Sequence, residues 1–260
     1  MLASSTSPPD HAGDMQSLLA ALHASTGFLK GAVGDPLPGW HVPGADNRAA
    51  MESFHARLRE RYPQAGGAFL AVRVWTNLLW QPAYVAFHGV HMVGALPDLS
   101  GMSQQFAGWD VDGFRLPVAP VLRASTELMI ASAGRQLRRH ADGVLEEINR
   151  FTKLKPVPAK RLLVDRMLGL LVRLAQQRPD LPVDKVKDHC ASWLAAMELT
   201  GHGDLQTIRL RDGREAVISA RKGCCLDYMI EPGSYCANCP KQDGAIRRQR
   251  QQEAAEEGYA

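Results

Sequence analysis

The sequence predicts a helix-rich α+β fold, in which a multi-helix body carries small antiparallel β-hairpin elements and ends in a cysteine-containing segment. Apolar residues recur at helical spacing through most of the body. Two Asp-Gly pairs stand between alternating apolar residues, a pattern typical of hairpins. The composition, 45% hydrophobic and 22% charged over 260 residues, is that of a globular protein able to bury a large core.

Charge and hydropathy argue against several classes of protein. The formal net charge of +3 is too small to indicate nucleic-acid binding, and no basic stripe alternates with aromatic residues. The first 26 residues contain no Lys or Arg, so a secretory signal is not expected. The most apolar stretch, residues 68–96, is interrupted by Arg73, Asn77 and Gln81, which favours buried core helices over a membrane span.

The N-terminal part of the body is predicted to form two helices around an irregular connection. Residues 1–12 are mostly small and polar, which predicts a disordered lead-in. A short amphipathic helix follows, then a Gly- and Pro-rich connection over residues 31–44, and then a second helix over residues 47–61. The first helix has four apolar residues at helical spacing: Met15, Leu18, Leu19 and Leu22.

Residues 68–96 form the expected centre of the core. Pro82 lies near the middle of this stretch and should kink or split the helix, because proline removes a backbone donor and clashes with the preceding turn. Further along the chain, the Asp-Gly pair at residues 112–113 predicts the turn of a hairpin within residues 106–118.

Three more helices are predicted, over residues 121–151, 159–177 and 183–199. Cys190 falls on the apolar stripe of the third helix, which predicts a small buried hydrophobic residue rather than a metal ligand. A second hairpin, with an Asp-Gly pair at residues 212–213, then leads directly into the four remaining cysteines.

These elements divide the chain into segments. The lead-in, residues 1–12, precedes a helical body over residues 13–200. The second hairpin and the cysteines occupy residues 201–243. Residues 244–260 are charged and helix-prone with almost no apolar face, so we expect a solvated tail.

The four C-terminal cysteines lie in the spacing C-C-x10-C-x2-C. In a reducing cytosol such a group favours metal ligation over disulfides, and a segment with few apolar residues gains order mainly from the bound metal. Cys236 and Cys239 form a common chelating turn. The side chains of Cys224 and Cys225 diverge in an extended chain, which suits a cluster of bridged metals better than a single ion.

Two alternatives stay open on the spacing alone. A structural zinc site takes four thiolates, but it normally draws on two separated C-x2-C knuckles, whereas one knuckle here is vicinal. Cys224 and Cys225 could instead form a vicinal redox disulfide. Iron–sulfur ligation by all four cysteines is the preferred interpretation. Three residues are expected to shape the turns around it: Pro232, Gly233 and Pro240.

Residues 223–228, Gly-Cys-Cys-Leu-Asp-Tyr, and residues 236–240, Cys-Ala-Asn-Cys-Pro, carry a family resemblance. Together they resemble the C-terminal signature of the ferric siderophore reductases of the FhuF type, and the chain length and helix-rich body are compatible with that family. The resemblance implies a [2Fe-2S] cluster in a cytoplasmic bacterial protein. The implied ligands are Cys224, Cys225, Cys236 and Cys239.

The resemblance also implies an enzyme. It would reduce Fe(III) in imported ferric siderophores, chiefly hydroxamates, by one electron and release Fe(II) in the cytoplasm. A ferredoxin or a flavin-dependent reductase would supply the electron, and peripheral contact with the inner membrane or an importer is compatible with this role. Two other functions stay open: an iron–sulfur sensor, and a zinc-stabilised siderophore-binding module without redox activity.

Several further residues are candidates for supporting roles. Tyr228 and Tyr235 flank the cysteines and would shield the cluster, whereas His88 and His91 are expected to pack rather than to bind metal. Three basic residues would either favour the more negative, reduced state of the cluster or be solvated surface charges: Arg221, Lys222 and Lys241. A siderophore basin has candidate wall residues, although packing in the core or exposure on a solvated helix face is the preferred interpretation of each: Trp40, Trp75, Trp80, Trp109, Arg135, Arg138 and Arg139.

Overall fold

The computed structural model of the chain describes residues 10–230 and 235–258. Within them, seven α-helices and two small sheets confirm the helix-rich α+β fold. Among these described helices, none combines the length and the apolarity needed to cross a bilayer. In chain order the elements are α1 (His11–Thr26), β1 (Gly31–Val33), α2 (Arg48–Arg61), α3 (Gly67–His88), β2 (Ser103–Ala107), β3 (Asp110–Leu116), α4 (Thr126–Ile148), α5 (Pro156–Gln177), α6 (Val183–Ala196), β4 (Asp204–Arg209), β5 (Glu215–Ala220) and α7 (Gly244–Glu256).

Helix α3 lies at the centre of the body and is buried along most of its length. It packs against α2, α4 and α5, and α4 packs in turn against α6. The side chain of Cys190 on α6 is 1% exposed, which confirms it as a core residue. Burial raises the pKa of its thiol to about 12, so this cysteine stays protonated.

The expected split at Pro82 is not observed, because α3 runs through this residue as one helix. A proline leaves the carbonyl four residues earlier without its helical donor. Here the imidazole of His140 on α4 lies beside the carbonyl of Leu78, which is that group. Burial lowers the pKa of His140 to about 3, so this imidazole is neutral. The irregular turn comes later, as a π-helical segment at Gly89–Val93.

The first sheet has the strand order β1-β3-β2, with β1 parallel and β2 antiparallel to β3. The prediction of an irregular connection over residues 31–44 is therefore wrong at its start, where a three-residue strand is too short to show alternation. The first hairpin is confirmed, but its predicted turn is wrong. Gly108 and Trp109 connect β2 to β3, and Gly108 adopts a φ of +62°.

The Asp-Gly pair at residues 112–113 lies inside β3. Gln104 pairs with Phe114 and Phe106 pairs with Val111, so β3 has one residue more than β2 between these pairs. The extra residue makes a β-bulge, and Gly113 provides the φ of +90° found there. An Asp-Gly pair is therefore compatible with a bulge as well as with a turn.

The predicted helices agree with the structure apart from their ends. The helix over residues 121–151 is shorter than predicted, because Ser125 caps the N-terminus of α4 and Leu122 forms a bridge to Leu96. The second hairpin is confirmed as β4 and β5, and Gly213 in its turn adopts a φ of +85°.

The structure describes only part of the predicted lead-in but most of the predicted tail. Residues 1–9 of the expected lead-in lie outside the described residues, and α1 begins at His11. Most of the expected tail forms α7, whose side chains are mostly exposed. The side chain of Gln251 is an exception, since its Nε2 donates a hydrogen bond to the carbonyl of Ser219 on β5 at 2.8 Å. Helix α7 is therefore held against the second hairpin.

Candidate metal centre

The cysteine segment is attached to α5 through Asp165. After β5 the chain turns across this helix, and the Nε of Arg221 donates a hydrogen bond to the Asp165 carboxylate at 3.2 Å. The same carboxylate accepts hydrogen bonds from the backbone N–H groups of Lys222 (3.1 Å) and Gly223 (2.7 Å). A side chain at Gly223 would collide with Asp165 and with the backbone of α5, so the residue before the cysteine pair must be glycine.

Asp165 and Arg221 form a largely buried ion pair, with 5% and 16% of their side chains exposed. Burial raises the pKa of Asp165 to about 6, although Arg221 and the two backbone N–H groups oppose this shift. Burial lowers the pKa of Arg221, but Asp165 and the nearby cysteines outweigh it and the net shift is upward. Both groups are therefore mainly charged at neutral pH, and loss of either would leave the other charge buried without its partner.

All four predicted ligands line one cavity of about 200 Å³. Cys239 is buried, Cys224 and Cys225 are half-buried, and Cys236 is exposed. Leu226 follows the vicinal pair with a φ of +65°, a conformation that reverses the chain direction after Cys225. The remaining lining residues are Asp227, Tyr228 and Tyr235.

The thiols of Cys225 and Cys236 are close enough to interact. This interaction lowers the pKa of Cys225 to about 6 and raises the pKa of Cys236. The Nη1 of Arg221 lies 3.6 Å from the Sγ of Cys236, so the guanidinium stabilises negative charge on the pair. Burial raises the pKa of Cys224. Metal ligation requires thiolates, and the arrangement favours one of them before any metal arrives.

The C-x2-C turn is held by β5 and by Gln242, which precedes α7. The backbone N–H of Cys239 donates to the carbonyl of Cys236 at 2.9 Å, which closes the turn. Gln242 donates from Nε2 to the same Cys236 carbonyl at 2.8 Å. Asn238, inside the turn, donates from Nδ2 to the Oγ of Ser219 on β5 at 3.0 Å. The position of this half of the site is therefore determined by contacts outside the cysteines.

The donor set fits the group that the sequence implies. Four cysteine thiolates are the ligands that most [2Fe-2S] clusters use, and here four thiols border a single cavity. Among the described residues, no three His, Cys, Asp or Glu side chains are already arranged to hold a metal ion. The assignment of individual ligands remains a prediction. Two residues expected to shape the turns, Pro232 and Gly233, lie outside the described residues.

The histidines of α3 and the π-helical segment pack as predicted. His88 stacks on the ring of Tyr84, and the Nε2 of His91 accepts a hydrogen bond from the Nε1 of Trp193 at 3.0 Å. Burial lowers the pKa of both histidines, that of His91 to about 3. The imidazoles of His88 and His91 are therefore neutral and packed, and they are part of the core.

The structure combines a helix-rich body with four cysteines that line one cavity after β5, which defines the class as a helix-rich protein with a candidate four-cysteine metal site. Residues 221–241 match the model of the FhuF 2Fe-2S C-terminal domain, which confirms the resemblance of this segment. The match includes all four cysteines and Arg221, and the helical body lies outside it. No solved structure matches the chain.

The candidate walls of a siderophore basin lie elsewhere. Trp75 is in the core, the Nε1 of Trp80 donates to the carbonyl of Val111, and Arg138 pairs with Asp142. The residues that share a cavity with Cys225 were missed. They include Arg73, Tyr84, Asp165, Arg166 and Arg173. The one available signal was the occurrence of Asp165 and Arg166 within the leucine-rich stretch of α5, where charged residues need partners.

We expect the substitution Asp165→Asn to loosen the cysteine segment, because it leaves Arg221 buried without a negative partner. The free energy of unfolding should fall by about 3 kcal/mol, measured by urea denaturation of the metal-free protein. Alkylation of the four thiols, followed by mass spectrometry, should also become faster. Asp188→Asn, at an exposed position on α6, is the matched control. Unchanged alkylation rates in the Asp165 variant would show that this anchor does not hold the segment.

Proposed function

We propose that the protein is a ferric siderophore reductase that holds a [2Fe-2S] cluster on Cys224, Cys225, Cys236 and Cys239. The observation that carries the proposal is that these thiols line one cavity within the segment that matches the FhuF 2Fe-2S C-terminal domain. The reaction is the one-electron reduction of Fe(III) in imported ferric siderophores, with hydroxamates as the expected chelates. Fe(II) is then released in the cytoplasm.

The chemistry requires electron transfer and access to the chelate. A bound [2Fe-2S] cluster supplies single electrons. For each chelated Fe(III) that becomes Fe(II), one reduced ferredoxin is oxidised, or a flavin-dependent reductase is oxidised by one electron. The hard, anionic oxygens of the chelate bind Fe(II) far more weakly than Fe(III), and they take up protons from water when Fe(II) leaves. No nucleophile or general base is needed from the protein.

The residues around the cysteines support this role. Arg221 brings a positive charge to within 3.6 Å of the Sγ of Cys236, which favours added negative charge at the site. The rings of Tyr228 and Tyr235 line the cavity with their centroids 5.7 Å apart, so they limit the entry of water. The exposure of Cys236 leaves one side open to a redox partner.

A basic depression of about 540 Å³ beside Cys224 supports an acidic electron donor. Among the described residues that line it there is no Asp or Glu. Opposite charges on a partner would accelerate docking and orient it with its redox centre close to the cysteines. We therefore propose an acidic ferredoxin as the donor. The cationic lining residues are Arg161, Arg221, Lys222, Lys241 and Arg247.

Charge reversal at Lys241 should weaken the use of an acidic donor. With a plant-type ferredoxin reduced by its NADPH-dependent reductase, Lys241→Glu should raise the KM for ferredoxin about fivefold at low salt. The dithionite-driven rate should stay unchanged. Lys187→Glu, on the exposed surface of α6, is the control. Equal KM values for the Lys241 variant and the original protein would contradict the assignment of this surface.

Metal content and spectroscopy separate the proposal from a zinc scaffold. Anaerobically purified protein should contain about two iron and two sulfide per chain and should show a rhombic EPR signal only after reduction. Cys225→Ser should lose the cluster or shift its spectrum, whereas Cys190→Ser, in the core of the body, should leave both unchanged. Colourless protein with one zinc per chain would overturn the cluster assignment.

A single-turnover experiment tests the reductase activity and separates it from a sensor role. Dithionite-reduced protein, freed of excess reductant, is mixed anaerobically with a ferric hydroxamate and an Fe(II) trap. We expect one Fe(II) for each electron that the protein loses, followed by the return of the oxidised visible spectrum. A protein that is reoxidised by air but forms no Fe(II) from any ferric siderophore would not be a reductase.

A further inference from the structure

A second cavity of about 260 Å³ adjoins the cysteine cavity between α3 and α5. Cys225 and Asp227 line both cavities, so a molecule bound in the second one lies beside Cys225, one of the four predicted ligands. The lining of this cavity is dominated by charge. Its cationic residues are Arg73, Arg166, Arg173 and Arg221, and its anionic residues are Asp165 and Asp227.

The two aspartates neutralise only half of these cations. Asp165 pairs with Arg221 at 3.2 Å, and Asp227 pairs with Arg73 at 2.6 Å. Within the described part of the chain, no Asp or Glu forms a salt bridge with either of the other two arginines. The arginine and aspartate side chains of the cavity therefore sum to two positive charges at neutral pH, of which the Cys225 thiolate offsets one.

The two remaining guanidinium groups, of Arg166 and Arg173, share Tyr84 as a neighbour. The Nη1 of Arg173 donates a hydrogen bond to the phenol oxygen of Tyr84 at 2.6 Å, and Arg166 lies close to the same phenol. The side chain of Tyr84 is buried in α3, so the hydrogen bond limits the movement of the Arg173 guanidinium group. Burial, together with the neighbouring Arg173 and Arg221, lowers the pKa of Arg166. An anion placed here would relieve that repulsion.

Gly169 opens the cavity floor between the two arginines. It comes three residues after Arg166 and four residues before Arg173, so all three share one face of α5. A Cβ atom at Gly169 would meet none of the described atoms within 4 Å. Glycine inside a helix lowers the stability of the helix by about 1 kcal/mol relative to alanine. Here it leaves the backbone uncovered beside the guanidinium groups of the two arginines. This geometry leaves room for a planar anionic group, which arginine binds with two parallel hydrogen bonds.

We propose that this cavity binds the anionic groups of a ferric chelate, so that the preferred substrates are siderophore complexes with a net negative charge from free carboxylates. The inference rests on the proposed reductase function and specifies its substrate class. In a tris-hydroxamate the three ligands just neutralise Fe(III), and no charge remains for Arg166 and Arg173. A hydroxamate chelator with additional carboxylates keeps its iron chemistry and supplies the anion.

Binding of redox-inert chelates tests the inference without turnover. Ga(III) matches the charge and approximate size of Fe(III) and is not reduced under these conditions. The cluster-loaded protein is titrated calorimetrically with the Ga(III) complex of a citrate-based dihydroxamate, which is anionic, and with a neutral Ga(III) tris-hydroxamate. We expect the anionic complex to bind at least about tenfold more tightly. Equal affinities, or no binding of either complex, would overturn the inference.

Variants locate the binding to this cavity. Arg173→Gln should weaken binding of the anionic complex about tenfold and leave the neutral complex unaffected. Gly169→Leu should fill the space between the arginines and abolish the preference. Arg178→Gln and Gly143→Leu, at exposed positions beyond α5 and on α4, are matched controls that should bind like the original protein. Unchanged binding by the Arg173 and Gly169 variants would show that the anion binds elsewhere. If the metal-free chelator binds as tightly as its Ga(III) complex, the cavity does not recognise metal chelates.

Reduction of the corresponding Fe(III) complexes separates the inference from the proposed function. If the Ga(III) preference is present but neither iron complex yields Fe(II), the reductase function fails and the anion site stands. If both iron complexes are reduced with the same kcat/KM and the Ga(III) affinities are equal, the reductase function stands and the charge preference fails. A higher kcat/KM for the anionic iron complex, lost in Arg173→Gln, supports both.

Discussion

The carboxylate of Asp165 is the contact through which the C-terminal cysteines are attached to the helical body. It accepts hydrogen bonds from the Arg221 side chain and from two successive backbone N–H groups, at the point where the chain leaves β5. The interaction is buried and charged. It is also closely packed, since there is no room for a side chain at Gly223. Because Arg221 also approaches Cys236, the same ion pair both anchors the segment and places a positive charge beside the thiols.

This attachment also explains why the site has two adjoining cavities. Asp165 faces the cysteine segment from α5, and Arg166 and Arg173 follow on the same helix. Docking of the segment onto α5 therefore brings Cys225 next to a cationic cavity of the body. In the proposed function, the short segment would supply the redox ligands and the helices the recognition surface. An electron donor would approach separately, over the basic residues near Cys224.

The sequence was sufficient for features that depend on near neighbours in the chain. The four cysteines, the burial of Cys190 and most helices follow from spacing over a few residues. It was insufficient where contacts join distant segments: Asp165 meets Gly223 across 58 positions and Arg173 meets Tyr84 across 89. Pro82 was misjudged for the same reason, because the His140 ring that lies beside the Leu78 carbonyl belongs to another helix.

The central claim is that a chelated metal binds directly beside the four thiols. The most direct test is electron–nuclear double resonance on dithionite-reduced protein with a bound Ga(III) chelate, because gallium has a nuclear spin and cannot accept the electron. We predict a gallium hyperfine coupling to the unpaired electron of the reduced protein. Saturating chelate that binds without any such coupling would place the metal far from the cysteines and contradict the account.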